Sequence, residues 1–260
     1  MPRKLIVFDI DGTLVNSQNT ILPSSIEAVK HLKEQGHVVT IATGRTRFLV
    51  KNILEILKLD TYVLCNGAIV FHDNKPIISK PLDKKELKRL SDFMNTTDMD
   101  LAMTAIDQMV RLTSNHPERI RSVLNIQGGT LPELDRTFKF VDNHSIYQGL
   151  GFYPSVKDGT FEENFPELRF VRWHPDSVDI IARDNSKAVS VLALANYLNI
   201  RQEDIIAFGD GNNDIEILSE AGIGIAMGNA SDQIKSVADM VTDTNERDGI
   251  YKALAQLKII

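Results

Sequence analysis

The sequence predicts an α/β protein, a parallel sheet with helical crossovers that is interrupted by an α+β insertion. Three observations carry this expectation. Short continuous apolar runs alternate with helical patterns in the first third of the chain. The same alternation returns in the last quarter. Between them, from about Asp83 to Arg183, the hydrophobic period changes. Alternation of strands and helices at this spacing implies right-handed crossovers and parallel pairing.

Leu5 to Phe8 is a four-residue apolar run, as expected of a strand buried on both faces. Pro23 and Ser24 open a helix with Ile26, Val29 and Leu32 on one face, and Gly36 ends it. Val38 to Ala42 reads as a second buried strand, followed by a helix carrying Ile53, Leu54, Ile56 and Leu57. Tyr62 to Cys65 is a third strand, closed by the turn pair Asn66-Gly67. In the last quarter a helix is expected over Lys187 to Leu198, a strand over Ile205 to Phe208 and a short helix over Ile215 to Leu218. A strand over Ile223 to Met227, a helix near Ile234, a strand at Met240-Val241 and a helix over Gly249 to Leu257 complete it.

The middle opens on a helix with a capping box, Asp83 and Glu86, and with Leu87, Leu90 and Phe93 facing inward. Strands are expected at Leu101 to Ala105, Met109 to Thr113, Thr137 to Val141, Ile146 to Phe152, Leu168 to Trp173 and Val178 to Ala182. Pro81 and the polar run Arg183-Asp184-Asn185-Ser186 have the composition of linkers. The expected division is therefore a domain made of residues 1–82 and 187–260, with 83–186 inserted. Trp173 is expected in the core of the insertion, with a place facing a ligand as the alternative for it and His174.

Composition narrows the function. A chain of 260 residues accommodates one large domain or two smaller ones and a sizeable core. It has 43% hydrophobic and 25% charged residues, the proportions of an ordinary globular protein. The formal net charge of −6 argues against a general nucleic-acid binder, which carries a basic face. The one cysteine, Cys65, can form no internal disulfide or cysteine-rich zinc site and is expected as a small buried group. After Arg3 and Lys4 the apolar run is too short for a secretion signal, and no stretch has the length of a membrane span. The expected compartment is the reduced cytoplasm, with no membrane partner. His31, His37, His72, His116 and His144 show no metal-ligand spacing.

The chemistry concentrates at strand ends. In Asp9-Ile10-Asp11-Gly12-Thr13, two carboxylates follow a buried strand, where open α/β sheets bind ligands. Carboxylates this close repel, so a cation or a held proton must stabilise them, and an oxygen-only site suits magnesium. The plain alternative is an Asp-rich turn with Gly12 supplying an unusual backbone angle. Thr43-Gly44-Arg45 follows the second strand and can offer a hydroxyl and backbone N–H groups to an anion, or simply cap a helix. Gly209-Asp210-Gly211-Asn212-Asn213-Asp214 places two more carboxylates in a tight glycine loop. A plain acidic turn and a calcium loop are its alternatives, although the spacing is not that of an EF-hand. Lys187 opens a helix just after the insertion; alone it would read as a solvated surface lysine. The phosphate-binding P-loop and the G-x-G-x-x-G dinucleotide fingerprint after the first strand are both lacking.

These four segments, in this order, resemble the four motifs of the haloacid dehalogenase-like (HAD) hydrolase superfamily, and most of all its Cof-type sugar-phosphatase group. Residues 5–14, 41–45 and 205–250 carry the resemblance, including Ala226-Met227-Gly228-Asn229-Ala230. In Ser186-Lys187-Ala188, alanine stands where the family often has glycine. The resemblance implies a Rossmann-like doubly wound core with a mobile inserted α+β cap, magnesium dependence and hydrolysis of phosphate esters. It implies that Asp9 is the nucleophile that becomes an aspartyl-phosphate, and that Asp11 is the acid and base. Mg²⁺ would be held by the Asp9 carboxylate, the Asp11 carbonyl and Asp210, with Asp214 as a further ligand or as support for the others. Thr43, the Gly44 N–H and Lys187 would hold the phosphoryl oxygens, with Asn213 nearby. The expected partner is a small phosphorylated metabolite, most simply a sugar phosphate, selected by the cap. A phosphotransferase or phosphomutase of the same fold is the alternative enzyme, and a non-catalytic metabolite-binding regulator is the alternative outside catalysis.

Overall fold

A computed structural model describes residues 2–126 and 129–260. The chain forms two compact units. One comprises Met1–Arg45, Leu49–Ser79 and Ser186–Ile260; the other comprises Thr46–Phe48 and Lys80–Asn185.

The first unit begins with strand β1 (Leu5–Phe8), helix α1 (Pro23–Glu34), β2 (Val38–Ala42), α2 (Arg47–Leu57, whose first two residues count with the other unit) and β3 (Tyr62–Leu64). Two strands not anticipated from the sequence follow, β4 (Ile69–His72) and β5 (Lys75–Ser79). They form a hairpin whose two turn residues, Asp73 and Asn74, both adopt positive φ. That is the turn geometry which matches the twist of paired strands, and Asp and Asn tolerate it. Pro76 is accommodated because β5 is an edge strand, where a missing N–H costs little.

The second unit contains α3 (Lys84–Thr96), β6 (Asp100–Thr104), β7 (Met109–Arg111), α4 (Pro117–Val123), β8 (Glu133–Leu134), α5 (Lys139–Asn143), β9 (Gln148–Phe152), β10 (Leu168–His174) and β11 (Ser177–Ala182). Its six-stranded sheet runs β10-β11-β9-β6-β7-β8 and is antiparallel except for β7 with β8. Asp83 caps α3 by accepting from the Lys85 and Glu86 N–H groups. Leu87, Leu90, Met94, Leu101, Phe161 and Ile180 pack in its core.

Two expectations are corrected in this unit. Thr137 to Val141 is a turn leading into α5, not a strand. The Asp135 carboxylate accepts from the Thr137 and Phe140 N–H groups at 2.9 and 2.7 Å, and this local cap overrides the alternation of apolar residues. Trp173 is 47% exposed rather than part of the core.

The chain returns to the first unit with α6 (Lys187–Tyr197), β12 (Ile205–Gly209), α7 (Ile215–Glu220), β13 (Ile223–Ala226), α8 (Asp232–Lys235), β14 (Met240–Val241) and α9 (Gly249–Gln256). The eight-stranded sheet has the order β14-β13-β12-β1-β2-β3-β4-β5. All pairs from β14 to β3 are parallel; the pairs β3–β4 and β4–β5 are antiparallel. The chain winds outward in one direction from β1 through β2 and β3, and in the other from β12 through β13 and β14. The order therefore reverses at the β1–β12 pair, and a crevice forms beyond the carboxyl ends of such strands. Leu5, Val7, Ala188, Val191, Ile205 and Ala207 fill the core that fixes these strands. Among the described residues, no helix is long and apolar enough to cross a membrane.

Candidate active site

The site residues are placed by where strands stop and where one helix begins. The Asp9 N–H donates to the Phe208 carbonyl at 3.0 Å, so the β1–β12 ladder runs up to this residue and leaves its side chain at the strand end. Asp210 follows β12 directly, and Thr43 follows β2. Lys187 is the first residue of α6, capped by the Ser186 hydroxyl, which accepts from the Val189 N–H. A Lys at this position projects back over the turn that precedes it.

The centre of the site is a buried ammonium between two carboxylates. Lys187 Nζ lies 2.5 Å from Asp9 Oδ1 and 2.7 Å from Asp214 Oδ1. Asp214 Oδ2 accepts from the N–H groups of Asp210 and Gly211 at 3.0 and 2.9 Å, which tightens the glycine loop around it. Asp210 Oδ1 accepts from the Thr13 hydroxyl at 2.7 Å. Gly12 has φ +82°, and a Cβ there would stand 2.1 Å from Asp210 Oδ2. Only glycine allows the first loop to pass this close to Asp210. Asn229 Nδ2 donates to the Gly12 carbonyl at 2.8 Å, and its Oδ1 accepts from the Asn245 N–H at 3.1 Å.

Charge in this cluster is unbalanced. One oxygen from each of Asp9, Asp210 and Asp214 lies within 4.8 Å of the others, and Lys187 is the ammonium between them. Burial holds the Asp9 carboxyl well above the usual carboxylate range; Lys187 opposes this and Asp214 adds to it. Burial also pushes Asp210 up to about 6, against the Thr13 hydrogen bond and with a contribution from Asp214. Burial disfavours the charge on Lys187, but Asp214 and Asp9 together hold its pKa above the ordinary value. Three clustered carboxylates against one ammonium call for further positive charge. Their donors are all hard oxygens, which is the ligand set a small divalent cation takes, so the residues present fit such an ion.

The structure brings Asp9, Asp210, Asp214 and Lys187 together. It sets the Asp11 side chain outside the three-carboxylate cluster: Arg45 grips it with Nε to Oδ2 at 2.9 Å and a terminal nitrogen to Oδ1 at 2.5 Å. Thr43 is buried and its hydroxyl accepts from the Arg45 N–H at 3.0 Å; Gly44 lies between them, half-buried. Asn213 Nδ2 donates to Asn66 Oδ1 at 2.9 Å. Thr13, Arg45, Asn66 and Asn229 join the site without having been expected there. Thr13, Arg45 and Asn229 stand within the motif segments themselves, whereas the only mark on Asn66 was its turn pairing with glycine.

The chain is similar to known proteins along most of its length. The family model for haloacid dehalogenase-like hydrolases matches residues 6–254. The protein YkrA of Bacillus subtilis (strain 168) is 35% identical over 260 residues, covering the whole of both chains. The pyridoxal phosphate phosphatase YbhA of Escherichia coli (strain K12) is 30% identical, over 96% of this chain and 97% of its own. The structure of the HAD subclass IIB sugar phosphatase BT4131 superposes with a TM-score of 0.88 at 27% identity, over 99% of this chain and all of that one. The chain, with its strand-end carboxylates, buried lysine and glycine loop all inside the matched residues 6–254, therefore belongs to the haloacid dehalogenase-like hydrolase family and is a phosphatase of it.

Proposed function

We propose that this protein hydrolyses small phosphorylated metabolites, sugar phosphates foremost, through a phosphoryl group carried on Asp9. The observation that carries this reading is the setting of Asp9. It is a buried carboxylate at a strand end, with Oδ1 held by Lys187, among carboxylates whose charge one ammonium leaves unbalanced. The names of the relatives, a pyridoxal phosphate phosphatase and a sugar phosphatase, support a small phosphate monoester as substrate.

In this mechanism Asp9 Oδ2 attacks phosphorus, the bond to the leaving oxygen breaks, and Asp11 gives that oxygen its proton. Water then attacks the phosphorus of the acyl phosphate, Asp11 takes a proton from it, and Asp9 is restored as inorganic phosphate departs. Dividing one difficult displacement into two is the gain of covalent catalysis. Lys187, the Thr43 hydroxyl and the Gly44 N–H hold the phosphoryl oxygens, with Asn213 alongside. Asp9, the Asp11 carbonyl and Asp210 would hold Mg²⁺, with Asp214 as ligand or as the group that fixes the loop. Bound there, the ion would offset repulsion between the Asp9 carboxylate and a phosphate dianion. Because the residues of the first unit engage only the phosphoryl group, we assign selection of the rest of the substrate to the inserted segment, 83–186, acting as a cap.

A screen of phosphate monoesters with purified protein tests this reading, with magnesium and with EDTA. Release of inorganic phosphate that EDTA abolishes is the expected result. Full turnover in metal-free buffer removes the metal from the mechanism. Transfer of phosphate to an added sugar instead of water makes the enzyme a phosphotransferase.

A further inference from the structure

One buried turn ties together three loops of the site. Cys65, Asn66 and Gly67 follow β3 and have φ of 52°, 52° and 98°. Three successive residues in the left-handed region are costly for a chain of L-amino acids, and two of these carry side chains. Such a turn persists only where its surroundings over-determine it.

The surroundings are the loops that carry the phosphate-binding groups. The Cys65 N–H donates to the Arg45 carbonyl at 3.1 Å, and the Asn66 N–H to the Thr43 carbonyl at 2.9 Å, so the turn grips both ends of Thr43-Gly44-Arg45. The Gly67 carbonyl accepts from the Ser190 hydroxyl at 2.6 Å, and a Cβ on Gly67 would stand 2.3 Å from the Ser186 carbonyl. The turn thus sits against the start of α6, where Lys187 projects. The Asn66 side chain, buried at 2% exposure, accepts from Asn213 Nδ2 at 2.9 Å and so reaches the glycine loop.

From this geometry we infer that Asn66 is a positioning residue for phosphate recognition, holding Asn213 in register with Thr43 and Lys187. The inference rests on the reading of these groups as the phosphoryl site. The amide of Asn66 presents its oxygen to Asn213, and its backbone N–H fixes the carbonyl of Thr43. One residue therefore sets the spacing between two of the three loops, and its glycine neighbour sets the third. Asparagine is suited to this place because it tolerates positive φ better than most residues that have a side chain.

The test compares wild-type protein, Asn66→Gly, Asn213→Ala and the double variant. It uses p-nitrophenyl phosphate as substrate and inorganic phosphate as inhibitor, both with magnesium. Glycine keeps the left-handed backbone accessible while removing the amide. Asn66→Gly should weaken phosphate inhibition and raise KM roughly 3- to 10-fold, the range for losing one hydrogen bond, with a smaller effect on kcat. Asn66→Ala, read in the same way, guards against a turn loosened by glycine. The decisive readout is non-additivity: in the Asn213→Ala background, removing the Asn66 amide should change phosphate inhibition no further, because the two act as one unit. A purely structural contribution would still add. Unaltered phosphate inhibition in Asn66→Gly, or full additivity in the double variant, overturns this assignment and leaves the site reading intact. Wild-type protein that neither hydrolyses the ester nor binds phosphate overturns the site reading, and this inference falls with it.

Discussion

Asp9 and Asp11 stand two residues apart on one loop, yet one is enclosed and the other open. Asp9 is buried against Lys187, with carboxylates for neighbours. The Asp11 side chain is 60% exposed, and its partner is the guanidinium of Arg45. The contrast teaches how one short segment can supply two different reagents. A buried carboxylate held on one oxygen is fixed in direction, as an attacking group must be. An exposed one on a surface ion pair, a kind worth little in stability, is free to exchange that partner for a substrate oxygen or a water.

The largest expected effect is at the enclosed position. Asp9→Asn should lower turnover by several orders of magnitude and leave no phosphorylated enzyme in a rapid-quench mass spectrum. Near-normal turnover in that variant would end the covalent mechanism. Asp11→Asn removes the proposed acid–base group, and such a group typically contributes a factor of ~10²–10⁴ in rate. With p-nitrophenyl phosphate, whose leaving group needs little protonation, the first step should partly survive while the second stalls. Phosphorylated enzyme should therefore accumulate, with the label on a peptide containing Asp9; a label on any other residue would overturn the proposed covalent mechanism.

Stability should separate the two positions as well. Lys187→Met strands Asp9 and Asp214 without their ammonium, and breaking a buried pair in this way costs about 3–5 kcal/mol. Arg45→Met should cost about 1 kcal/mol or less, as expected for a partly exposed pair. Urea unfolding of both variants measures the difference, and equal losses would contradict the contrast.

The smallest effect is a pH dependence of the enclosed cluster. Asp210 titrates near 6 in the folded protein against an ordinary value of 3.8. The folded state therefore binds this proton more tightly than the unfolded chain does. Metal-free protein should lose stability as pH rises through that interval. Metal affinity should move the opposite way, rising as the carboxyl deprotonates through about pH 6. Thermal melts with and without Mg²⁺ between about pH 4.5 and 7.5 should show a gap that widens with pH; a constant gap would exclude Asp210 as the titrating ligand.

Much of the enclosed region was legible in the sequence, because its groups lie next to strand ends that apolar runs announce. Asp9 after Leu5–Phe8, Thr43 after Val38–Ala42 and Asp210 after Ile205–Gly209 are of this kind. What could not be read is the pairing across loops distant in sequence. Nothing near Arg45 points to Asp11, and nothing near Asn213 points to Asn66, since these contacts depend on strand order. In the inserted unit the failures were local. Alternation at Thr137 to Val141 imitated a strand while Asp135 nucleated a helical turn, and α4 is too short to show a clear helical period. The β4–β5 hairpin did leave a signal, the pair Asp73-Asn74 between two apolar runs, which turn chemistry explains.

The place of β1 in the sheet also bears on how the chain is made. β1 lies between β2 and β12, so one of its edges is covered early and the other only when residues 205–209 arrive. At ~5–20 residues per second, the roughly 200 residues between them take about 10–40 s to synthesise. Throughout that interval the strand that leads into Asp9 offers the nascent chain's surroundings a row of unpaired N–H and C=O groups on an apolar ribbon. Such an edge invites pairing with a foreign strand until the last quarter of the protein closes over it.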